Sequence, residues 1–238
     1  MYRNYIFDFY GTLADIRTDE EDSRAWETLA LLYGERGAVY LPGELRREFL
    51  RLERCETERL DREYAEPDLR NVFTRLYTEK GVECDVSRAK ETACVFREAT
   101  RRYLCVYDGV KELLEELGRR GRGVYLLSNA QADFTRPEIG MLGLTDYFDG
   151  IVLSSEQGVK KPSPVLFETL LETYGLNRRE SIMIGNDRES DIEGARLAGL
   201  SSLYIHTDIS PQLKGRVRAD YCVMDGDFRK IGPLIVKG

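Results

Sequence analysis

The chain has 238 residues, 42% of them hydrophobic and 32% charged, so it can bury a real core and is not disordered by composition. At this length a main domain with a sizeable insertion is expected. A formal net charge of -7 and a pI near 5.1 argue against nucleic acid as a partner, and no run approaches the roughly 20 apolar residues of a membrane span.

Residues 4–9 form a short β-rich run that enters a tight loop at Tyr10-Gly11-Thr12. From about Asp15 to Arg102 charges are dense and apolar residues recur at helical spacing, as in Trp26, Leu29, Ala30 and Tyr33. Breaks at Pro42-Gly43, Glu66-Pro67 and Gly81 divide this block into about four helices. Val110, Leu113, Leu114 and Leu117 then make one face of a helix that stops in the glycines at 118–123. Short apolar strands follow at 124–127, 150–153, 181–184, 202–205 and 221–223, with helices expected at 164–174 and about 189–198. Continuous apolar strands alternating with amphipathic helices predict an α/β fold: a Rossmann-like parallel sheet with helices on both faces. Residues 1–14 and 105–238 are the expected core, and 15–104 an inserted all-helical domain.

Five scattered cysteines, Cys55, Cys84, Cys94, Cys105 and Cys222, contain no CxxC pair, which speaks against a disulfide framework or zinc cage. The N-terminus lacks a signal-peptide cleavage pattern, and a cytoplasmic location is expected. The single histidine, His206, reads as a strand-end residue, so carboxylates and lysines must carry any chemistry. Ligands bind at the carboxyl ends of the strands in open α/β sheets. Those ends hold 8–12, Ser128-Asn129, 154–161 and 186–191, an inventory suited to phosphate and a cation.

Four segments, in order, resemble the motifs of the haloacid dehalogenase superfamily. They are Asp8-Phe9-Tyr10-Gly11-Thr12-Leu13, Leu127-Ser128-Asn129, Lys161-Pro162-Ser163-Pro164, and the run from Gly185-Asn186-Asp187 to Asp191-Ile192 with Gly194-Ala195 after it. The resemblance implies a C1-type cap for the helical insertion and a phosphohydrolase acting through an aspartyl-phosphate on Asp8. It implies Mg²⁺ held by Asp8, the Tyr10 carbonyl, Asp187 and Asp191. Ser128, Asn129 and Lys161 would contact the phosphorylated small molecule, Lys161 adding positive charge, and Thr12 would supply the first motif's hydroxyl. Specificity is expected from insertion residues that reach the ligand on closure, Trp26 or an arginine among them.

Tyr10 departs from the phosphatase pattern, which has there an aspartate that protonates the leaving oxygen. Tyrosine serves poorly, its reference pKa being about 10 against about 4 for Asp, and such catalysis is typically worth about 10²–10⁴-fold. The same tyrosine occurs in metal-independent 2-haloacid dehalogenases, which attack carbon and release halide without a proton. Those enzymes, however, replace the fourth motif's acids, which Asp187 and Asp191 retain here. A phosphonate-cleaving branch needs a lysine from the insertion, where only Lys80 and Lys90 are available, neither locally marked. A non-catalytic protein keeping the phosphate and metal site is the remaining alternative.

Overall fold

The computed structural model describes residues 2–213 and 215–236, so Met1, Lys214 and 237–238 of the expected core lie outside the described residues. Six parallel strands make the central sheet in the order β5-β4-β1-β6-β7-β8. These are β1 (Asn4–Phe7), β4 (Gly123–Ser128), β5 (Gly150–Leu153), β6 (Ser181–Gly185), β7 (Ser201–Ile205) and β8 (Tyr221–Val223). The central strands are apolar on both faces because both are covered. Tyr5 and Phe7 pack with helix α5 (Val110–Arg119) and α10 (Ile231–Ile235), whereas Ile6 and Met183 pack with α8 (Pro164–Thr173) and α9 (Gly194–Leu197).

The sequence predicts an insertion that is helical throughout. The structure instead frames four helices with an antiparallel ribbon, β2 (Ala14–Thr18) and β3 (Arg101–Val106), paired from Ala14–Val106 to Thr18–Arg101. The reason is local: charged residues such as the exposed Arg17 and Arg102 and the half-buried Arg101 leave little apolar pattern to read. The helices are α1 (Ser23–Glu35), α2 (Pro42–Arg59), α3 (Leu69–Thr78) and α4 (Val86–Thr100). Asp22, Asp68 and Asp85 cap α1, α3 and α4, each carboxylate accepting from a first-turn amide. The block has its own aromatic centre, where Trp26, Phe49, Phe73 and Phe96 meet with ring centroids 5.2–5.8 Å apart. Among the described helices none is long and apolar enough to cross a membrane.

One further helix, α6 (Ala132–Met141), lies between β4 and β5. Pro137 within it masks its periodicity in the sequence, yet this helix holds the block to the core. Arg70 of α3 donates two 2.8 Å bonds to Asp133 of α6, and Arg97 of α4 pairs with Glu138 of α6 at 2.8 Å.

Candidate active site

β1 delivers Asp8 to the carboxyl edge of the sheet, and the chain then folds back on itself: the amides of Thr12, Leu13 and Ala14 all donate to the Phe9 carbonyl. Gly11 makes this possible. Its φ of +80° suits glycine alone, and an added Cβ would strike the Asn186 side chain. Asp8 is buried apart from 8% of its surface. Its Oδ1 accepts from Ser128 Oγ at 2.9 Å and Lys161 Nζ at 2.7 Å, and its Oδ2 from Thr12 Oγ1 at 3.4 Å. Three separate loops thus converge on one carboxylate, placing Asp8, Thr12, Ser128 and Lys161 together.

Lys161 is wholly engaged. Its ammonium donates to Asp8 Oδ1 at 2.7 Å, Asp191 Oδ1 at 2.7 Å and the Leu127 carbonyl at 2.8 Å, which uses all three of its protons. Burial alone would lower its pKa, but the Asp191 and Asp8 charges outweigh that and hold it above the ordinary lysine range. Asn129 fixes this loop from behind: its Nδ2 donates to the Lys161 carbonyl at 3.0 Å and its Oδ1 accepts the Lys161 amide at 2.7 Å.

Asp187 and Asp191, four residues apart, do not sit alike. The segment from Arg188 to Glu193 is a π-helical turn rather than the start of an α-helix. Asp187 caps it, Oδ1 accepting from Glu189 and Ser190 amides at 2.7 and 3.2 Å, and lines the cleft beside Asp8. Asp191 is fully buried and does not line the cleft; its Oδ1 takes Lys161 and its Oδ2 takes the Asp187 amide at 2.9 Å. Burial pushes the Asp191 carboxyl up, the Lys161 ammonium pulls it back, and the 2.7 Å contact is that of an ion pair. Gly185 leaves room for this carboxylate, which a Cβ there would overlap.

The Tyr10 side chain points away from the nucleophile into a buried charge cluster. Its hydroxyl donates to Glu138 Oε2 and lies 3.1 Å from Thr135 Oγ1, while the Arg97 guanidinium sits 5.4 Å over its ring. Burial holds the phenol well above its usual range, with Arg97 opposing, so it is protonated at neutral pH. Arg97 and Arg101 both pair with Glu138 Oε1, at 2.8 and 3.0 Å. Burial would raise the Glu138 pKa, but its guanidinium and phenol partners lower it. Glu138→Ala should therefore strand two arginines and cost about 3–5 kcal/mol of stability, read as a lowered urea midpoint. A loss within the range of an exposed ion pair would remove the cluster as the element joining block to core.

The cleft holds about 220 Å³. Asp8, Tyr10, Ser128, Asn129, Lys161 and Asp187 line it, as does Asn186, whose Oδ1 accepts from Thr12 Oγ1 at 3.2 Å. Asn186 belongs to the 186–191 strand-end segment but was given no role of its own; its position after Gly185 was its signal. Ser190 of the π-helical turn, Ile209 and Pro211 complete the lining, the last two with no motif to announce them. A larger hollow of about 850 Å³ lies at the other end of β1 and β4, around Arg3, Arg122 and Asp149, away from this chemistry. Trp26 is buried in the aromatic centre with Nε1 on the Glu20 carbonyl, and Lys80 Nζ pairs with Glu44 at 3.0 Å, so neither faces the cleft. His206 follows directly on β7, its Nδ1 2.9 Å from the Tyr204 phenol oxygen Oη.

Among the described residues no three His, Cys, Asp or Glu side chains form a ready-made metal cage. Mg²⁺ does not require one, since it keeps several waters and takes one or two carboxylates. The two carboxylates lining the cleft, Asp8 and Asp187, are hard oxygen donors suited to it, and Tyr10 lines the cleft beside them.

A buried carboxylate–lysine cluster at the carboxyl ends of a parallel sheet defines the class as an open, Rossmann-like α/β protein with its site where such sheets bind ligands. The chain belongs to the haloacid dehalogenase-like hydrolases, whose family model matches residues 2–199. It is 33% identical over 149 residues to a phosphoserine phosphatase of Thermus thermophilus, covering 63% of this chain and 59% of that protein. It is 37% identical over 93 residues to a ribulose-1,5-bisphosphate 5-phosphatase of Halopiger xanaduensis, covering 39% of each. The matches thus span about 39–59% of these relatives. In fold it is similar to a 2-haloacid dehalogenase from Pseudomonas syringae, with TM-score 0.69, 21% identity and 99% of both chains covered. A HAD phosphatase from Thermococcus onnurineus superposes with TM-score 0.61 at 19% identity, covering 98% of this chain and 97% of that one.

Proposed function

We propose that the chain is a Mg²⁺-dependent phosphohydrolase of small phosphorylated metabolites that works through an aspartyl-phosphate on Asp8. The observation that carries this reading is the Asp8 carboxylate, held by Ser128 and Lys161 in a cleft that also contains Asp187. Asp8, Asp187 and the Tyr10 carbonyl would hold the cation, which cancels repulsion between an anionic nucleophile and an anionic phosphoryl group. Asp191 then acts behind the site by fixing Lys161 and the Asp187 amide, and is not itself a ligand. Ser128 and the Lys161 loop orient the transferred group, and Asn129 holds that loop in place. The phosphatase names of the relatives support the reaction class.

Tyr10 supports a second reading, metal-independent dehalogenation, because its bound hydroxyl offers no acid to the cleft. Two carboxylates lining one small cleft favour the cation. With para-nitrophenyl phosphate, turnover should vanish on chelation with EDTA and return with added Mg²⁺. Activity indifferent to EDTA, or halide release from 2-chloropropionate that survives it, would overturn the phosphohydrolase reading.

A further inference from the structure

The stretch between α2 and α3 brings the helical block back onto the core, beside the nucleophile's own partners. Ala65 bridges Val159 in antiparallel fashion. The Glu66 amide donates to the Gly158 carbonyl at 3.2 Å, and the Lys160 amide donates to the Tyr64 carbonyl at 2.9 Å. Residues 64–66 thus lie as a short strap along 158–160, the run that leads directly into Lys161. An ion pair follows the same line, Lys160 Nζ standing 3.7 Å from Glu66 Oε2. The strap is also gripped by Gln131, two residues beyond Asn129. Its Nε2 donates to Glu66 Oε1 at 3.0 Å and to the Pro67 carbonyl at 2.9 Å, and its Oε1 accepts the Leu69 amide at 2.9 Å. This use is informative because Gln131 stands at the N-cap of α6, where a capping side chain satisfies its own helix. Here it caps none of that helix's amides and commits both donors and its acceptor to the block.

We propose that Gln131 is a positioning residue: through its amide, seating of the helical block and assembly of the grip on Asp8 become one event. This deepens the phosphohydrolase reading and rests on it. The grip consists of Ser128 Oγ and Lys161 Nζ on the same carboxylate oxygen. Ser128 belongs to the loop that continues to Gln131, and Lys161 to the loop that carries Val159 and Lys160. The strap therefore bonds to both loops at once. With it seated, the two loops are held in register and their side chains meet Asp8 at 2.9 and 2.7 Å. With it lifted, the loops retain the bonds between them, from Asn129, Ser154 and Ser155, but lose the tie that fixes both against the block. An error of about 1 Å in such a grip can cost on the order of 10²-fold in rate, so this tie acts on turnover as well as on stability.

Gln131→Ala removes the three side-chain bonds and leaves the main-chain bridge. With para-nitrophenyl phosphate and Mg²⁺, its kcat should fall by about tenfold or more. The strap should also open more often, so trypsin should cut about tenfold faster at Arg59 and Arg62, both exposed in the stretch that leads to it. Gln131→Glu, which sets a second carboxylate against Glu66, should lose at least as much. Adding Glu66→Gln to it restores an amide–carboxylate bond with the partners exchanged and should recover part of both losses. Native kcat in Gln131→Ala despite faster cutting would show a purely structural tie and overturn the proposal. So would an unchanged cutting rate, or an exchange variant no better than Gln131→Glu alone. Absence of Mg²⁺-dependent phosphate release from the unmodified protein overturns the phosphohydrolase reading instead, and the cutting rates then still decide whether Gln131 seats the strap.

Discussion

Asp8→Asn is expected to abolish turnover, by about 10⁴-fold or more, while leaving the fold as stable as before or slightly more so. The loss follows from chemistry: an amide oxygen cannot form and release the phosphoryl ester. The retained stability follows from charge. In the native site one buried ammonium faces two carboxylates, each 2.7 Å away. Removing the Asp8 charge leaves a balanced Lys161–Asp191 pair, and the Asn oxygen still accepts from Lys161 and Ser128. The thermal midpoint should move by no more than about 2–4 °C, the equivalent of 1 kcal/mol for a chain of this size. Single-turnover phosphate release and a melting curve on the same preparation check both halves. Residual turnover near the native rate would remove Asp8 as nucleophile, and a large drop in midpoint would show that its charge holds the site together.

The parts of this arrangement legible in the sequence were those set by strong local pattern. Apolar runs such as Tyr5-Ile6-Phe7 and Ile182-Met183-Ile184 are buried on both faces, so they read as parallel strands without knowledge of their neighbours. Residues at their ends, Asp8, Ser128 and Asp187, followed from the rule that such sheets bind ligands there. Lys161 lies at the far end of the 154–161 segment that follows β5, and its place before Pro162 singled it out from Lys160. What could not be read depends on pairing at a distance. The β2–β3 ribbon joins segments about 85 residues apart whose side chains are largely charged. Asp191 looked like the equal of Asp187 because an i,i+4 spacing places two side chains on one face of an α-helix. The π-helical turn breaks that rule and turns Asp191 inward to Lys161. No motif marks Glu138, and only the meeting of α4, β3 and the nucleophile loop at α6 gives it Arg97, Arg101 and the Tyr10 phenol. Ile209 is one apolar residue in a polar loop, meaningful only once Thr207 and Ser210 fix that loop to Gly11 and Asn186.

Lys161→Met is expected to give the largest loss of stability among the site variants. It leaves the Asp8 and Asp191 carboxylates buried and facing one another across an apolar side chain. Breaking a buried ion pair by removing one partner typically costs about 3–5 kcal/mol, which here corresponds to a midpoint lowered by on the order of 10 °C. The loss should be partly reversible by removing the charge left behind. Lys161→Met combined with Asp191→Asn should be more stable than Lys161→Met alone, with a coupling of about 0.5–3 kcal/mol between the positions. Activity should not return in the double variant, because the ammonium that fixes the nucleophile is still missing. The sign of the Asp191→Asn effect within the Lys161→Met background decides the matter. If Asp191→Asn makes the lysine variant worse, then Asp191 stabilises the fold chiefly through its bond to the Asp187 amide, and the ion pair with Lys161 is the lesser contact.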